Sequence, residues 1–277
     1  MLMNNLYLAH HGIKGQRWGK RNGPPYPLND EDHSKTEQKA GWKSSLSSGT
    51  NKIIRNKDGS TTIKRGFSFN RVGQDHLDPN KTGTLYVSYG KEDAARYISY
   101  LGPTLIGKIT GQYATHVQKI STSKDLRLPS EKQVNEQTAK FLSENKDVFD
   151  MLKDSIYSYG YDSKNGDISV SDLMYAIKNP ESDKASRLSY SLSQMIGNGE
   201  YSQYTSKYVK AMQKLGYDAI PDYADRLSGT SNTALIILNT NAVKLENVTL
   251  INKDMMRSAK KYVKSLGKLP VSKILNN

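Results

Sequence analysis

The chain has 277 residues, enough to bury a sizeable core in one large domain or in one medium domain with extensions, and we favour one domain with tails. It contains no cysteine, which excludes disulfides, thiolate metal sites and cysteine nucleophiles. The hydrophobic fraction of 36% and the mean hydropathy of −0.69 are low for a chain that is compact throughout. No apolar run reaches the roughly 20 residues that cross a bilayer, so we expect a soluble protein with no membrane partner.

The formal charge of +13 is concentrated at the two ends of the chain. Residues 1–65 carry 12 Lys and Arg against 5 Asp and Glu, residues 66–252 carry 21 against 21, and residues 253–277 carry 7 against 1. Two basic ends on a neutral body fit tethers to a polyanion such as DNA, RNA or an acidic protein shell. They fit equally well a pair of solvated tails that aid solubility.

Residues 10–19 form an unusual leader, His-His-Gly-Ile-Lys-Gly-Gln-Arg-Trp-Gly. The adjacent His10 and His11 side chains diverge, and no carboxylate or cysteine stands nearby to complete a metal site, so we expect no metal here. Three glycines with Trp18 and several cations favour a recognition peptide that docks in the pockets of a partner. The alternative is a disordered peptide with no role.

The chain divides by composition into a leader (1–22), a Pro- and Ser-containing linker (23–51), a globular domain (52–252) and a basic C-terminal helix with a tail (253–277). The domain opens on Asp58-Gly59, a hairpin signal between two β-prone stretches. Further strands are predicted at 66–72, 84–89, 113–120, 234–238 and 243–251, the fourth being central and the fifth its neighbour. Helices are predicted at 91–100, 131–145 (capped by Ser130), 146–157, 173–177, 184–196, 202–215 and 253–266 (capped by Asn252).

Strands at both ends of this domain, with a helical insertion at about 130–215 between them, predict an α+β fold with a small mixed sheet. The C-terminal helix carries a run of cations: Lys253, Arg257, Lys260, Lys261, Lys264 and Lys268. We take Lys260, Lys261 and Lys264 as candidate contacts to nucleic acid or another partner.

Residues 161–168 have a glycine, Gly166, at the sixth position of a calcium-type loop. Tyr161 stands where the first ligand should be, and the remaining oxygen ligands are few. We therefore predict a polar turn between helices and no metal site.

The leader, followed by Gly-Pro-Pro-Tyr-Pro-Leu at 23–28, resembles a leader shared by many phage and prophage proteins, including minor capsid and head-morphogenesis proteins. This resemblance implies a bacteriophage accessory protein, found in the virion or in the cytoplasm of the host bacterium. It implies a phage head or tail component as the partner of residues 10–19.

Residues 65–250 resemble small ADP-ribosyltransferase-like domains of phage and toxins in the order of their motifs. Arg71 ends one strand, the next strand carries Tyr86 and Ser88, and a helix carries Ala, Arg and Tyr97. A late Gly-Tyr-Asp-Ala-Ile turn contains Asp218. The resemblance implies that NAD is the cofactor and that these residues contact it.

In that family the Arg would hold the pyrophosphate of NAD, the Ser would bind ribose, and Tyr97 would stack on nicotinamide. A carboxylate is needed to polarise the nicotinamide ribose, but residues 230–233 read Thr-Ser-Asn-Thr where the family often has Glu or Gln. Either Asp222 or Asp225, in a preceding loop, substitutes as the catalytic acid, or turnover is lost and the domain is a binding scaffold. A different alternative is a non-catalytic virion or nucleic-acid protein that docks through its leader and its C-terminal helix.

Overall fold

A computed structural model describes residues 52–90, 92–103, 113–155, 170–197, 199–227 and 230–266. Nine strands form three three-stranded sheets in this part of the chain: β1 Ile53–Arg55, β2 Thr61–Ile63, β3 Ser68–Gly73, β4 Leu85–Val87, β5 His116–Thr122, β6 Leu126–Leu128, β7 Ala219–Pro221, β8 Leu235–Ile237 and β9 Val243–Leu250. The helices are α1 Asp93–Leu101, α2 Glu131–Glu144, α3 Lys146–Ser155, α4 Val170–Lys178, α5 Asp183–Ile196, α6 Ser202–Lys214, α7 Tyr223–Leu227 and α8 Lys253–Leu266. The leader, the linker, the predicted turn at 161–168 and Lys268 lie outside the described residues.

The sheets have the orders β1-β2-β6, β3-β5-β9 and β4-β8-β7. Every strand pair in the described residues is antiparallel, so the mixed sheet predicted from the sequence is wrong in this respect. The predicted α+β arrangement is confirmed, since the helices α2 to α6 lie between the early and the late strands of the chain.

The predicted hairpin at Asp58-Gly59 is present as the antiparallel pair β1 and β2. Gly59 has a φ of 83°, a left-handed conformation that favours glycine over residues with a side chain. The strand β6, which the sequence did not predict, extends this hairpin on its β2 side.

The sheet β3-β5-β9 has a different cover on each face. Val72 and Val117 pack with Ala94, Ala95 and Ile98 of α1 on one face. Phe69 and Ile120, on the other face, join a second core with residues of β4 and β8. Alternation along β3 therefore decides which side chains face α1.

The strand β8 is confirmed as the central strand of its sheet, between β4 and β7. The predicted neighbour, β9, forms no ladder with it and pairs instead with β5 over residues His116 to Thr122. The two sheets meet where Asn70 of β3 bridges Ser88, directly after β4. This bridge brings the Arg71 strand and the Tyr86 strand side by side.

The helical insertion has its own core of Leu, Ile, Met, Phe and Tyr side chains, which extends to β8 through Ile236 and Leu238. Ser130 caps α2 as predicted, within a capping box: its side chain accepts from the Gln133 amide, and the Gln133 side chain accepts from the Ser130 amide. The described residues contain no helix that is long and apolar enough to cross a membrane.

Candidate functional site

A group of polar side chains lies between α1, β4 and α7. We call it the Tyr97–Asp225 cluster and define it by these side chains: Tyr86, Asp93, Tyr97, Asp222 and Asp225. It is positioned by the start of α1, by the middle of β4 and by the first turn of α7.

The strand β4 turns alternate side chains to opposite faces. Leu85 and Val87 are buried in the core between the sheets, whereas Tyr86 points to the other side and packs against the helical insertion. Its hydroxyl donates to the Ser193 carbonyl at 3.3 Å. Ser88, two residues further, shares the face of Tyr86.

Asp93 at the start of α1 ties this helix to the segment that precedes β8. Its Oδ2 atom accepts from Ser231 Oγ at 2.5 Å, from Thr233 Oγ1 at 2.5 Å and from the Gly90 amide at 3.2 Å. The Tyr89 amide donates to the same Thr233 hydroxyl at 3.1 Å. The end of β4, α1 and the β8 segment are thereby fixed to one another.

Tyr97 follows Asp93 by one helical turn, which places the two side chains on the same side of α1. Its hydroxyl donates to Asp225 Oδ2 in a short hydrogen bond. Asp222 precedes α7, and its Oδ1 atom accepts from the Asp225 amide at 3.3 Å, as an N-cap does. The predicted Asp222 and Asp225 loop is therefore partly helical: Asp225 lies inside α7.

Burial raises the pKa of Asp225 above its ordinary value, and the nearby Asp93 carboxylate raises it further, while the Tyr97 hydrogen bond acts in the opposite direction. Burial, with the charge of Asp225, also raises the pKa of Tyr97. Burial, with the charges of Asp222 and Asp225, raises the pKa of Tyr86. The tyrosines therefore remain hydrogen-bond donors, and the Asp225 carboxylate is a stronger base than an exposed one.

Four buried side-chain polar atoms in the described residues have no hydrogen-bond partner: Asn70 Oδ1, Ser88 Oγ, Arg96 Nε and Tyr223 OH. The first three belong to the β3–β4 bridge and to α1. Asn70 and Ser88 exchange backbone hydrogen bonds of 2.7 and 2.9 Å, so their side chains lie on one face, the face that α1 covers. Unpaired buried groups are rare in proteins because each costs about 1–3 kcal/mol.

Arg71 is not brought to the cluster. It lies one residue from Asn70 and therefore on the opposite face of β3. Its guanidinium donates to Gln118 Oε1 at 3.0 Å and to the Asp78 carbonyl at 3.0 Å.

Asp218 is likewise held elsewhere, at the junction of β6 and β8. Its carboxylate accepts from the Arg127 amide at 3.2 Å and from Asn239 Nδ2 at 3.1 Å, and it forms an ion pair with Lys124 at 2.8 Å. These contacts give Asp218 a structural role between strands.

The structure thus groups Tyr86, Tyr97, Asp222 and Asp225 of the predicted site, with Ser88 beside them. The sequence analysis gave no role to Asp93 or Arg96 of the Asp-Ala-Ala-Arg-Tyr motif, although its spacing places Asp93 on the side of Tyr97. It also missed Asn70, which no local pattern distinguishes from a surface residue of the strand.

The remaining predicted contacts lie away from this cluster or outside the described residues. His10, His11 and Trp18 lie outside the described residues. Lys260, Lys261 and Lys264 are exposed on α8.

A surface cavity of 270 Å³ borders α6 and the β8–β9 connection and shares no residue with the cluster. No group of three or more His, Cys, Asp and Glu side chains within the described ranges could hold a metal ion.

Comparison of the chain with known protein families, curated proteins and solved structures finds no match.

Proposed function

We propose that the chain binds NAD at the Tyr97–Asp225 cluster and transfers its ADP-ribosyl group to a host or virion macromolecule. The observations that carry the proposal are the Tyr97–Asp225 hydrogen bond and the buried, unpartnered polar atoms of Asn70, Ser88 and Arg96 on the neighbouring β3–β4 bridge and α1. Together they offer a base, an aromatic ring, a hydroxyl, an amide oxygen and a cation, which are the groups that a dinucleotide needs.

When bound, NAD supplies a leaving group: the bond between ribose C1′ and the nicotinamide nitrogen breaks with its electron pair on nicotinamide, and the acceptor bonds to C1′. Asp225 is the base. Its carboxylate accepts a hydrogen bond from the ribose, faces the positive charge that develops at C1′, and takes the proton of the acceptor. A raised pKa favours this last step.

Ser88 and Asn70 have the complementary task of binding the ribose. A hydroxyl can donate and accept, and an amide oxygen accepts, so the two fit neighbouring sugar hydroxyls. Tyr97 offers a ring that is held in place by its hydrogen bond to Asp225.

The cation for the pyrophosphate is Arg96 in this proposal and not Arg71. Arg96 is buried with an unpartnered Nε, and its nearest carboxylate, Glu92, is 3.9 Å from Nη2. Arg71 already donates to two acceptors on the other face of β3.

The test is transfer of label from adenine-labelled NAD to macromolecules of a bacterial lysate, with NAD affinity measured separately by calorimetry. Asp225→Asn should lower the transfer rate by at least about 10²-fold, the usual contribution of a general base, with little change in NAD affinity. Arg96→Gln should weaken NAD binding by about 10-fold or more, the value of a charged hydrogen bond.

Asp154→Asn is the matched control, because Asp154 is an exposed aspartate near the end of α3. Absence of NAD binding by the wild type would overturn the proposal. Binding without transfer would overturn the transferase and leave a binding scaffold. Weakened binding in Arg71→Gln but not in Arg96→Gln would restore Arg71 as the pyrophosphate contact.

The leader enters this proposal as a docking segment for a phage head or tail component. Its support is the resemblance of residues 10–19 and 23–28 to phage leaders, which is independent of the cluster.

A further inference from the structure

The helix α8 presents one face of exposed cations. Lys253, Arg257, Lys260 and Lys264 follow one another at intervals of four, three and four residues, which places them on one side of a helix. All four are exposed, and Lys261 borders them. At 1.5 Å per residue this row is about 16 Å long.

The opposite face of α8 is occupied by the core. Met255, Met256 and Ala259 are buried against α1, where they meet Ala95 and Ile98. The helix is therefore held rigidly, and its apolar side is not free to enter a lipid surface, as an interfacial helix requires.

The cations of α8 are also poorly compensated. Arg257 has Asp254 at 3.8 Å, but Lys253, Lys260, Lys261 and Lys264 form no ion pair with any described residue. Several lysines elsewhere in the described residues are paired with carboxylates, among them Lys64, Lys124, Lys184, Lys207 and Lys244, whereas Lys140, Lys210 and Lys214 are not. What distinguishes α8 is that its cations share one face of one helix. Uncompensated charge of one sign on one face is the signature of a polyanion partner.

We propose that this face of α8 binds the phosphate backbone of duplex DNA without sequence preference. A duplex fits better than a single strand, because single-strand sites stack bases on exposed aromatic rings and the one aromatic residue of α8, Tyr262, packs towards α1. The proposal uses none of the residues of the Tyr97–Asp225 cluster, and it stands or falls independently of NAD binding.

The experiment measures the affinity of the full chain for a labelled duplex of about 20 base pairs between about 50 and 200 mM salt. Neutralising four phosphate contacts should reduce the slope of log affinity against log salt by about 3.6, because each contact contributes about 0.9. The variant is Lys253→Gln, Arg257→Gln, Lys260→Gln and Lys264→Gln combined, which leaves the buried face of α8 intact. Circular dichroism and thermal unfolding establish that it folds.

A matched variant loses the same charge from α2 and α6 through Lys132→Gln, Lys140→Gln, Lys210→Gln and Lys214→Gln, all exposed positions. It should keep the wild-type slope. An equal loss in both variants would overturn the proposal, because net charge and not the α8 face would then decide binding. Absence of DNA binding, or a wild-type slope in the α8 variant, would also overturn it. So would binding of the α8 face to phosphatidylserine vesicles in place of DNA.

Discussion

Asp225 is held in surroundings that oppose its charge. Burial and the neighbouring Asp93 raise its pKa, although one hydrogen bond, from Tyr97, favours the charged form. Residues placed against their electrostatic preference are concentrated at functional sites. Ser88 Oγ and Asn70 Oδ1 are likewise buried at a cost in free energy, since neither has a hydrogen-bond partner.

Asp225→Asn should raise the free energy of unfolding at pH 7 by on the order of 1 kcal/mol. Since the folded-state pKa of Asp225 lies above its unfolded value, the folded protein binds this proton more readily. The associated stability is complete below the unfolded pKa of about 4 and is lost as the pH rises through the folded pKa. Asparagine does not ionise, so the free energy of unfolding of Asp225→Asn should exceed that of wild type by less as the pH falls towards 4.

Urea unfolding of wild type and Asp225→Asn at pH 7 and pH 4 checks this difference, and Asp154→Asn again serves as the exposed control. A variant that is less stable than wild type at pH 7 would contradict the prediction. It would mean that the Asp225 carboxylate is stabilised in the fold.

At the scale of elements, the side chain of Asp58 links the turn of the β1–β2 hairpin to β6, in addition to the backbone ladder between β2 and β6. Asp58 Oδ1 accepts from the Ser60 hydroxyl at 2.6 Å and from the Ser60 amide at 2.9 Å, and Oδ2 accepts from Arg127 Nη2 at 2.7 Å. These hydrogen bonds, those of Ser60 foremost, lower the pKa of Asp58 to about 2. One carboxylate therefore closes the turn and fastens the third strand.

Asp58→Asn should lower the thermal midpoint at pH 6, because the amide cannot replace the charged hydrogen bonds. The folded pKa is depressed, so the contribution of Asp58 is present above the unfolded pKa and is lost as the pH falls through 4 towards about 2. The difference between the two proteins should shrink over that interval in a series of thermal scans.

Asp154→Asn, at an exposed position near the end of α3, should change the midpoint little at either pH. A difference between wild type and Asp58→Asn that is independent of pH would assign the effect to turn geometry and not to the charge.

Elements were predictable where the signal is local. The capping box at Ser130, the hairpin glycine at position 59 and the Asn252 cap, whose Oδ1 accepts from the Met255 amide at 2.8 Å, each lie within a few residues of sequence. The strands β6 and β7 were missed because each has three residues and lacks the local signal that marks other short strands, such as the hairpin turn between β1 and β2 or the five-residue apolar run around β8. Their existence depends on the partners β2 and β8.

At the scale of the whole molecule, α8 belongs to the core. The sequence set residues 253–277 apart as a basic helix and tail, but α8 packs on α1 through Met255, Met256 and Ala259. Its hydrophobic positions recur at helical spacing and meet those of α1. A helix with two distinct faces can thus complete the core and still offer cations to a partner.

Met255→Ala should lower the free energy of unfolding by about 2–5 kcal/mol, because it removes a fully buried side chain from the α1–α8 contact. Met174→Ala, on the exposed part of α4, is the matched control and should have little effect. Chemical denaturation measures both. An unchanged free energy of unfolding in Met255→Ala would mean that α8 does not contribute to the core.

The sequence by itself determined the local elements, the caps and the uneven distribution of charge, since all of these depend on neighbouring residues. Only the tertiary structure decided which strands pair and which side chains meet. Tyr97 and Asp225 are 128 residues apart in the sequence, and β9 pairs with β5 and not with β8. Arg71 and Asn70 are adjacent in sequence but lie on opposite faces of β3. The face that belongs to the candidate site is the one on which α1 packs. Long-range packing and strand alternation therefore define the candidate site, because no local pattern records what covers each face.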